Sequence, residues 1–348
     1  MKIKILKMKK SLMTLGVLAL FVLMAYGQEK KFALYSVAFY NMENLFDTIH
    51  DEGKNDYEYL PNGTNQWNTM KYKAKLKNMS EILSMLSTDK LPMGPAIIGV
   101  SEIENYRVLE DILKQPALAD RGYQYVHYEG ADQRGVDCAF FYNPKLFELT
   151  NSKLVPYVYI NDTVHKTRGF LIASGNIAGE KMHFIVNHWP SRAAASPARE
   201  RAGEQVRAIK DSLLREDSAA KIVIMGDMND DPMDKSMAVA LGAKRKPADV
   251  GPTDLYNPWW DTLKKGYGTL MYKGKWNLFD QIVFTGNLLG TDRSTLKFYK
   301  HEIFRRDFMF QKEGKYKGYP KRTQAGGVWL NGYSDHLPTI IYLIKEVK

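Results

Sequence analysis

Short apolar segments alternate with polar turns along most of the chain. Eight of them have the length of a strand and are rich in Val, Ile, Phe and Tyr, which favour strands. They cover residues 32–40, 96–102, 136–142, 169–177, 182–189, 221–227, 278–285 and 338–344. Two longer segments, 67–87 and 197–214, repeat their apolar residues at helical spacing. This pattern predicts packed sheets with helices outside them.

The first 27 residues differ from the rest. Five lysines precede the apolar run "LMTLGVLALFVLMA", and small residues precede Gln28. This layout predicts a secretory signal peptide and export to the periplasm or the exterior, with an uncleaved N-terminal anchor as the alternative. Residues 28–348 are predicted to form one domain, because no internal repeat and no Pro/Gly/Ser-rich linker divides them.

Charge and cysteine content give only weak evidence about substrate and fold. The five leader lysines carry half of the formal net charge of +10, so the mature chain is mildly basic, which suits an anionic substrate. Cys138 is the only cysteine, so no intrachain disulfide can form. Residues 297–322 contain nine Lys/Arg and seven Phe/Tyr. That mixture is typical of a nucleic-acid groove and equally of a half-buried hairpin.

Polar residues gather where the predicted strands end. Any one of these clusters could be a capped turn. Together they predict one cleft that binds a hard divalent cation through oxygen ligands. The clusters are "FYNMEN" with Asn41 and Glu43, "VSEIEN" with Glu102, "VNHWPSR" with His188, "GDMND" with Asp227 and Asn229, "FDQI" with Asp280, and "GYSDH" with Asp335 and His336.

The order of these motifs resembles the endonuclease/exonuclease/phosphatase superfamily, which includes deoxyribonuclease I, AP endonucleases, neutral sphingomyelinases and inositol polyphosphate phosphatases. The resemblance spans about residues 32–344, and its most specific parts are "GDMND" and "SDHLP". It implies an α/β fold, a four-layer α/β sandwich in which two facing mixed β-sheets are flanked by helices.

The resemblance also implies a metal site. Glu102 corresponds to the principal ligand of Mg²⁺, Mn²⁺ or Ca²⁺, with Asn41 beside it. Glu43 lies where some members place a further acidic contact to a second ion. Asp335 corresponds to a metal ligand or an acid/base assistant.

Four further residues correspond to the family's catalytic groups. Asp227 would orient or deprotonate the attacking water, and Asn229 would hold the phosphate. His336 would bind the scissile phosphate, with Asp280 as its carboxylate partner. The carboxylate would keep the imidazole charged, which is useful next to a phosphate.

The motif "NHWPS" separates branches of the superfamily. His188 in this motif corresponds to a second histidine found in the deoxyribonuclease I and sphingomyelinase branches. The resemblance implies that Asp137 is the carboxylate partner of His188, and that Arg168 binds the phosphate.

Three functions remain open on the sequence alone. The first is an exported metal-dependent phosphodiesterase, foremost an endonuclease acting on DNA or RNA. The second is a sphingomyelinase-like phospholipase, or another phosphoesterase of lipid or small phosphate esters, with Trp259 and Trp260 of "NPWW" as a membrane-facing element. The third is a non-catalytic binding protein with the same fold. No stable protein partner is predicted.

Overall fold

The structure is a computed structural model that describes residues 30–160, 162 and 164–347. The predicted signal peptide lies outside the described residues. Within the described part of the chain, no helix is both long enough and apolar enough to cross a membrane.

Strands dominate the fold. They are β1 (Lys31–Leu45), β2 (Ile97–Ile103), β3 (Gln124–His127), β4 (Asp137–Tyr142), β5 (Glu148–Val155), β6 (Phe170–Ile177), β7 (Glu180–His188), β8 (Lys221–Asp227), β9 (Ala243–Lys244), β10 (Leu255–Tyr256), β11 (Leu270–Tyr272), β12 (Lys275–Asn277), β13 (Asp280–Thr285), β14 (Lys297–Ile303), β15 (Gln324–Ala325), β16 (Val328–Trp329) and β17 (Thr339–Val347).

The α-helices are α1 (Thr69–Met85), α2 (Tyr106–Leu113), α3 (Ser196–Glu216) and α4 (Trp260–Lys264). A π-helix covers Ser236–Leu241, and short 3₁₀ helices cover Tyr57–Tyr59, Ala119–Arg121, Pro247–Asp249, Gly286–Leu288 and Asp307–Met309. The predicted segment 67–87 therefore corresponds to α1, and the predicted segment 197–214 to α3. Each of the eight predicted strand segments overlaps an observed strand.

Two large mixed sheets face each other. One has six strands in the order β14-β17-β1-β2-β4-β3, and the other has seven in the order β5-β6-β7-β8-β13-β10-β9. Helices α1 and α2 pack on the outer face of the first sheet, and α3 packs on the outer face of the second. The predicted four-layer α/β sandwich is therefore confirmed.

The space between the sheets is filled mainly by aromatic and branched side chains. The rings of Phe140 on β4 and Phe184 on β7 lie 5.8 Å apart and link the two sheets. At the centre the sheets approach so closely that a Cβ on Gly99 would lie 2.7 Å from Sδ of Met225. Only a glycine avoids that contact, so Gly99 allows β2 and β8 to pack tightly.

The strand directions bring the polar clusters to one edge of the sandwich. Strands β1 and β2 run parallel and pair Asn41 with Ser101, while β7 and β8 run parallel and pair His188 with Asp227. Strand β13 runs antiparallel to β8 and pairs Asp280 with Asp227. The carboxyl ends of four strands and the start of a fifth therefore meet at the same edge.

Candidate active site

Irregular backbone at the strand ends turns the polar side chains into the cleft. Strand β1 changes register between Asn41 and Leu45, and β2 changes register between Ser101 and Ile103. Within the second irregularity Glu102 has a φ of 60°, in the left-handed region. Left-handed backbone at a non-glycine residue is uncommon and clusters at functional sites. Glu43, Asn44 and Asn229 have the same kind of backbone, with φ between 46° and 53°.

Asn41 holds the two central carboxylates together. Its Nδ2 donates to Oε1 of Glu102 at 3.2 Å and to Oδ2 of Asp227 at 3.0 Å. Its Oδ1 accepts the backbone N–H of Glu43 at 2.8 Å. Asn41 therefore presents its amide nitrogen to the cluster, and its role as a metal ligand stays a prediction. It acts as a donor that keeps two acids side by side.

His336 and Asp280 form the predicted pair. Nδ1 of His336 lies 2.7 Å from Oδ2 of Asp280, and both side chains are buried. Burial opposes a charge on the ring, but Asp280 and then Asp227 outweigh it and raise the pKa of His336 well above its ordinary value. On its other side, Nε2 of His336 lies 3.8 Å from Oδ2 of Asp227. The histidine is thus held as an imidazolium that points its second N–H into the cleft.

Asp227 is a buried acid that faces both histidines. Burial raises the pKa of Asp227 to about 7, although the positive charge of His336 acts in the opposite direction. Its Oδ2 lies 3.8 Å from Nε2 of each histidine, His188 and His336. Its Oδ1 accepts the backbone N–H of Asn229 at 2.9 Å. An acid with this pKa can take up a proton near neutral pH, which is what a general base requires.

His188 also lies at the cluster, but as a neutral ring. Its Nε2 is 3.7 Å from Oε1 of Glu102, whereas its buried Nδ1 has no hydrogen-bond partner among the described residues. Burial, and then the charge of Arg168, lower the pKa of His188 well below its ordinary value. The predicted pairing of His188 with Asp137 is wrong. Asp137 instead accepts the backbone N–H of Gly130 at 2.9 Å and lies 3.5 Å from Nε2 of His127.

Arg168 lies close to the site and is held by groups of the protein. Its Nη1 donates to Oδ2 of Asp132 at 2.9 Å and its Nη2 to the carbonyl of Trp189 at 2.8 Å. The side chain is only 7% exposed, and its Nε has no hydrogen-bond partner among the described residues. That Arg168 binds the phosphate stays a prediction. Arg168 fixes the backbone that follows His188, and Asn229 donates to the same Trp189 carbonyl at 3.0 Å.

Glu43 belongs to an ion-pair network beside the cluster. Its Oε1 accepts Nε–H of Arg322 at 2.8 Å, and its Oε2 accepts the backbone N–H of Thr323 at 2.7 Å. The ammonium of Lys75 lies 3.9 Å from the same Oε2. Burial, and then the charge of Asp335, raise the pKa of Glu43 to about 7. That Glu43 contacts a second ion stays a prediction.

Asp335 connects that network to His336. Its Oδ2 lies 2.9 Å from Nη2 of Arg322, and its Oδ1 lies 3.9 Å from Nε2 of His336. Sequence reasoning assigned no role to Arg322, although it lies in the basic segment 297–322. It missed Asp132, the partner of Arg168, altogether. Neither residue stands in a motif, so only the folded chain reveals their contacts.

Comparison with known proteins agrees with this arrangement. A family model described as endonuclease/exonuclease/phosphatase family matches residues 36–345. The chain belongs to the endonuclease/exonuclease/phosphatase family. No curated protein sequence matches it at a significant level.

Solved structures of this family share its fold. One is an endonuclease/exonuclease/phosphatase family protein from Bacteroides thetaiotaomicron, with 15% identity and a TM-score of 0.57 over 92% of this chain and 98% of the other. A mannosyl-6-phosphatase from the same organism has 14% identity and a TM-score of 0.55, over 89% and 99%. D. rerio TDP2, complexed with a single-strand DNA product, has 15% identity and a TM-score of 0.52, over 89% and 99%. At this identity the likeness shows the fold alone.

The residues at the cluster suit the divalent cation that this family typically needs. Carboxylate oxygens are the ligands that hard cations prefer. The side chain of Glu102 is 15% exposed and that of Asp227 only 3%, so a cation from solvent reaches Glu102 first. Glu102 and Asp280 both act to raise the pKa of Asp227, which is the repulsion that a bound cation would relieve.

Proposed function

We propose that this member of the endonuclease/exonuclease/phosphatase family is an exported, metal-dependent phosphodiesterase that cuts nucleic acid internally. The observation that carries the chemistry is the meeting of Glu102, Asp227 and the His336–Asp280 pair within one small cluster. The proposed export rests on the sequence of the first 27 residues.

Asp227 would act on the attacking water. The water oxygen forms a bond to phosphorus while its proton passes to Asp227, whose pKa near 7 suits that transfer. Asn41 donates to Oδ2 of Asp227, and the backbone N–H of Asn229 donates to its Oδ1. These two hydrogen bonds fix the orientation of the carboxylate. The base is therefore positioned before substrate arrives.

His336 would act on the phosphate and on the group that leaves. Charge builds on the phosphoryl oxygens and on the leaving oxygen as the ester bond breaks, and donors fixed in advance stabilise it. The charged ring of His336 can donate its Nε2 proton to the leaving oxygen. Neutral His188 can donate a hydrogen bond from its own Nε2 to a phosphoryl oxygen. A cation bound at Glu102 would supply Lewis-acid stabilisation of the same charge.

A basic, aromatic surface next to the site supports a polyanionic substrate. Hairpin β11–β12 lies beside the catalytic loop, since Leu270 forms a β-bridge with His336. The guanidinium of Arg305 lies 4.8 Å from the ring of Trp276 on this hairpin and 5.0 Å from the ring of Phe310. Lys312 and Lys317 line one groove with Arg305 and Phe310. Further exposed lysines stand near these half-buried rings in the sequence, namely Lys273, Lys275 and Lys315. We call these five lysines, Arg305 and the two rings the basic surface. Cationic side chains combined with aromatic rings are typical of surfaces that bind a nucleic-acid strand.

The sphingomyelinase-like alternative loses its main structural argument. Trp259 is fully buried, and its Nε1 donates to the carbonyl of Ile282 at 2.9 Å. Trp260 is half-buried. The "NPWW" segment is therefore core packing rather than a membrane-facing element.

A substrate panel tests the proposal. The purified mature chain is expected to cut supercoiled plasmid DNA in Mg²⁺ and to lose this activity in excess EDTA. Sphingomyelin vesicles, incubated in parallel, are expected to remain intact. Hydrolysis of sphingomyelin without cleavage of DNA would favour the phospholipase, and a chain that hydrolyses no ester with any divalent metal would favour the binding protein.

Charge reversal on the basic surface tests the nucleic-acid part. The double variant Lys312→Glu/Lys317→Glu is expected to raise KM for DNA by about 10-fold at low salt, because each lost phosphate contact weakens binding in a salt-dependent way. Hydrolysis of bis(4-nitrophenyl) phosphate should not change. Lys77→Glu/Lys114→Glu is the matched control, with Lys77 exposed on α1 and Lys114 exposed directly after the end of α2. Equal KM values for both double variants would remove the surface from substrate binding.

A further inference from the structure

A small polar pocket adjoins the catalytic cluster on the side of Glu102. It has a volume of about 170 Å³ and lies between the loop that contains Glu58 and Asn65 and the start of hairpin β15–β16. Asn44 lines it, and the backbone N–H of Asn44 donates to Oε2 of Glu102 at 2.8 Å. Arg322 lines it as well, and binds Asp335 beside His336. A group attached to a phosphate at the cluster could therefore extend into this pocket.

The walls of the pocket are fixed by packing. The ring of Tyr59 stacks on Phe46 at 4.2 Å and meets the edge of Trp67 at 5.9 Å. Trp67 in turn packs against Trp329 of β16 at 5.8 Å. Gly326 and Gly327, both with positive φ, form the tight two-residue turn of the hairpin. A pocket held in this way is formed before a ligand enters.

The charges of the pocket disfavour a second phosphate. Glu58 and Glu43 both line it, and the cation Arg322 is engaged by Glu43 and Asp335. A further anion close to Glu58 would be repelled by its like charge. The occupant that fits is therefore neutral.

The polar groups of the pocket match hydroxyl groups. Glu58 offers carboxylate acceptors, whereas the amides of Asn65 and Gln324 offer both donors and acceptors. A hydroxyl group can donate and accept at once, so it can satisfy both kinds of partner. Tyr59 adds an aromatic surface for the C–H groups of a ring. The volume is below the roughly 300–1,000 Å³ of pockets that bury drug-sized ligands, so a single ring fits better than a longer chain.

We propose that this pocket binds the sugar ring joined to the scissile phosphate, and that Glu58, Asn65 and Gln324 recognise a free hydroxyl group of that sugar, which is the 2′-hydroxyl within RNA and the terminal 3′- or 5′-hydroxyl in a nucleoside ester. This inference rests on the proposed phosphodiesterase function and specifies which part of the substrate the site recognises. Arg322 lies between the pocket and the catalytic cluster. It lines the pocket and also binds Asp335, the carboxylate next to His336.

The test compares diesters that differ only in the sugar. Thymidine 5′-(4-nitrophenyl) phosphate and thymidine 3′-(4-nitrophenyl) phosphate carry a sugar on one side or the other, and bis(4-nitrophenyl) phosphate carries none. The variants Asn65→Ala and Glu58→Gln are expected to lower kcat/KM about 10-fold on at least one thymidine ester, the loss of one or two hydrogen bonds. Hydrolysis of bis(4-nitrophenyl) phosphate should stay within about twofold of wild type, as expected when remote binding groups alone are lost.

Asn176→Ala is the matched control. Nδ2 of Asn65 donates to Oε2 of Glu58 at 3.4 Å, and Asn176 donates to Glu148 on β5 in a similar amide–carboxylate pair at the surface. Equal losses on all three esters would indicate a general structural effect and would overturn the pocket, as would unchanged rates on both thymidine esters. In either case wild-type hydrolysis of bis(4-nitrophenyl) phosphate keeps the proposed function in place. If wild type hydrolyses none of the three, the function and the pocket both fail.

Discussion

Replacing Glu102 by glutamine is expected to lower kcat/KM for DNA by about 1,000-fold in Mg²⁺. Metal-assisted stabilisation of the transition state amounts to several kcal/mol, and each 1.4 kcal/mol corresponds to a factor of ten in rate. Glutamine has nearly the shape of glutamate but only one acceptor oxygen, so it keeps one of the two hydrogen bonds that Glu102 accepts from Asn41 and from the Asn44 backbone N–H. The substitution therefore removes the charge on which cation binding depends, together with one neutral hydrogen bond.

Calorimetric titration with Mg²⁺ measures the same change without turnover. Wild type should bind the ion, and Glu102→Gln should bind it at least about 10-fold more weakly. Glu110→Gln, at a half-exposed position on α2, is the control for the loss of one carboxylate. A Glu102→Gln protein that binds Mg²⁺ and cuts DNA as wild type does would show that Glu102 is not the metal ligand.

The sheets could be predicted from the sequence because their strands are buried on both faces. Segments such as 221–227 are continuous apolar runs, and such runs are typical of central strands between two layers. The short edge strands β9 and β10 and helix α2 were not predicted, since two paired residues or eight helical ones leave little periodic signal. The position of the site followed from the polar residues at the strand ends.

The partners of the site residues could not be predicted in the same way. Arg168 pairs with Asp132, which lies in the β3–β4 connection, and Asp137 pairs with His127, the last residue of β3. Their approach depends on how that connection folds over the sheet edge, which apolar periodicity does not encode. The left-handed backbone of Glu102 is likewise a product of tertiary packing rather than of local preference.

Two histidines with opposite charge states share one cleft. Asp280 keeps His336 protonated, whereas burial beside Arg168 keeps His188 neutral. Both rings face Oδ2 of Asp227 at the same distance of 3.8 Å. When environments separate the pKa values of neighbouring groups, those groups can take different roles in acid–base catalysis. The cleft therefore holds one charged and one neutral imidazole with the Asp227 carboxylate between them, which suits the roles proposed for these residues.

Replacing His336 by alanine is expected to lower kcat by more than about 100-fold, the lower end of a general acid/base effect. The variant removes the charged donor and leaves Asp280 buried without its partner, so a thermal melt must confirm that the protein folds. The variant Asp280→Asn tests the role of His336 without removing its side chain. It keeps the ring but removes the charge that holds the proton, so the pKa of His336 falls. The high-pH limb of the rate profile should then move to lower pH.

His165→Ala is the control for the loss of a histidine–carboxylate pair, because His165 binds Asp162 with a side chain that is 77% exposed. It should leave both the rate and the pH profile unchanged. The role assigned to His336 requires that the alanine variant is folded and slow, and that Asp280→Asn shifts the profile. A folded His336→Ala protein with a rate within about threefold of wild type contradicts that role. An Asp280→Asn profile identical to wild type contradicts the claim that Asp280 maintains the charge.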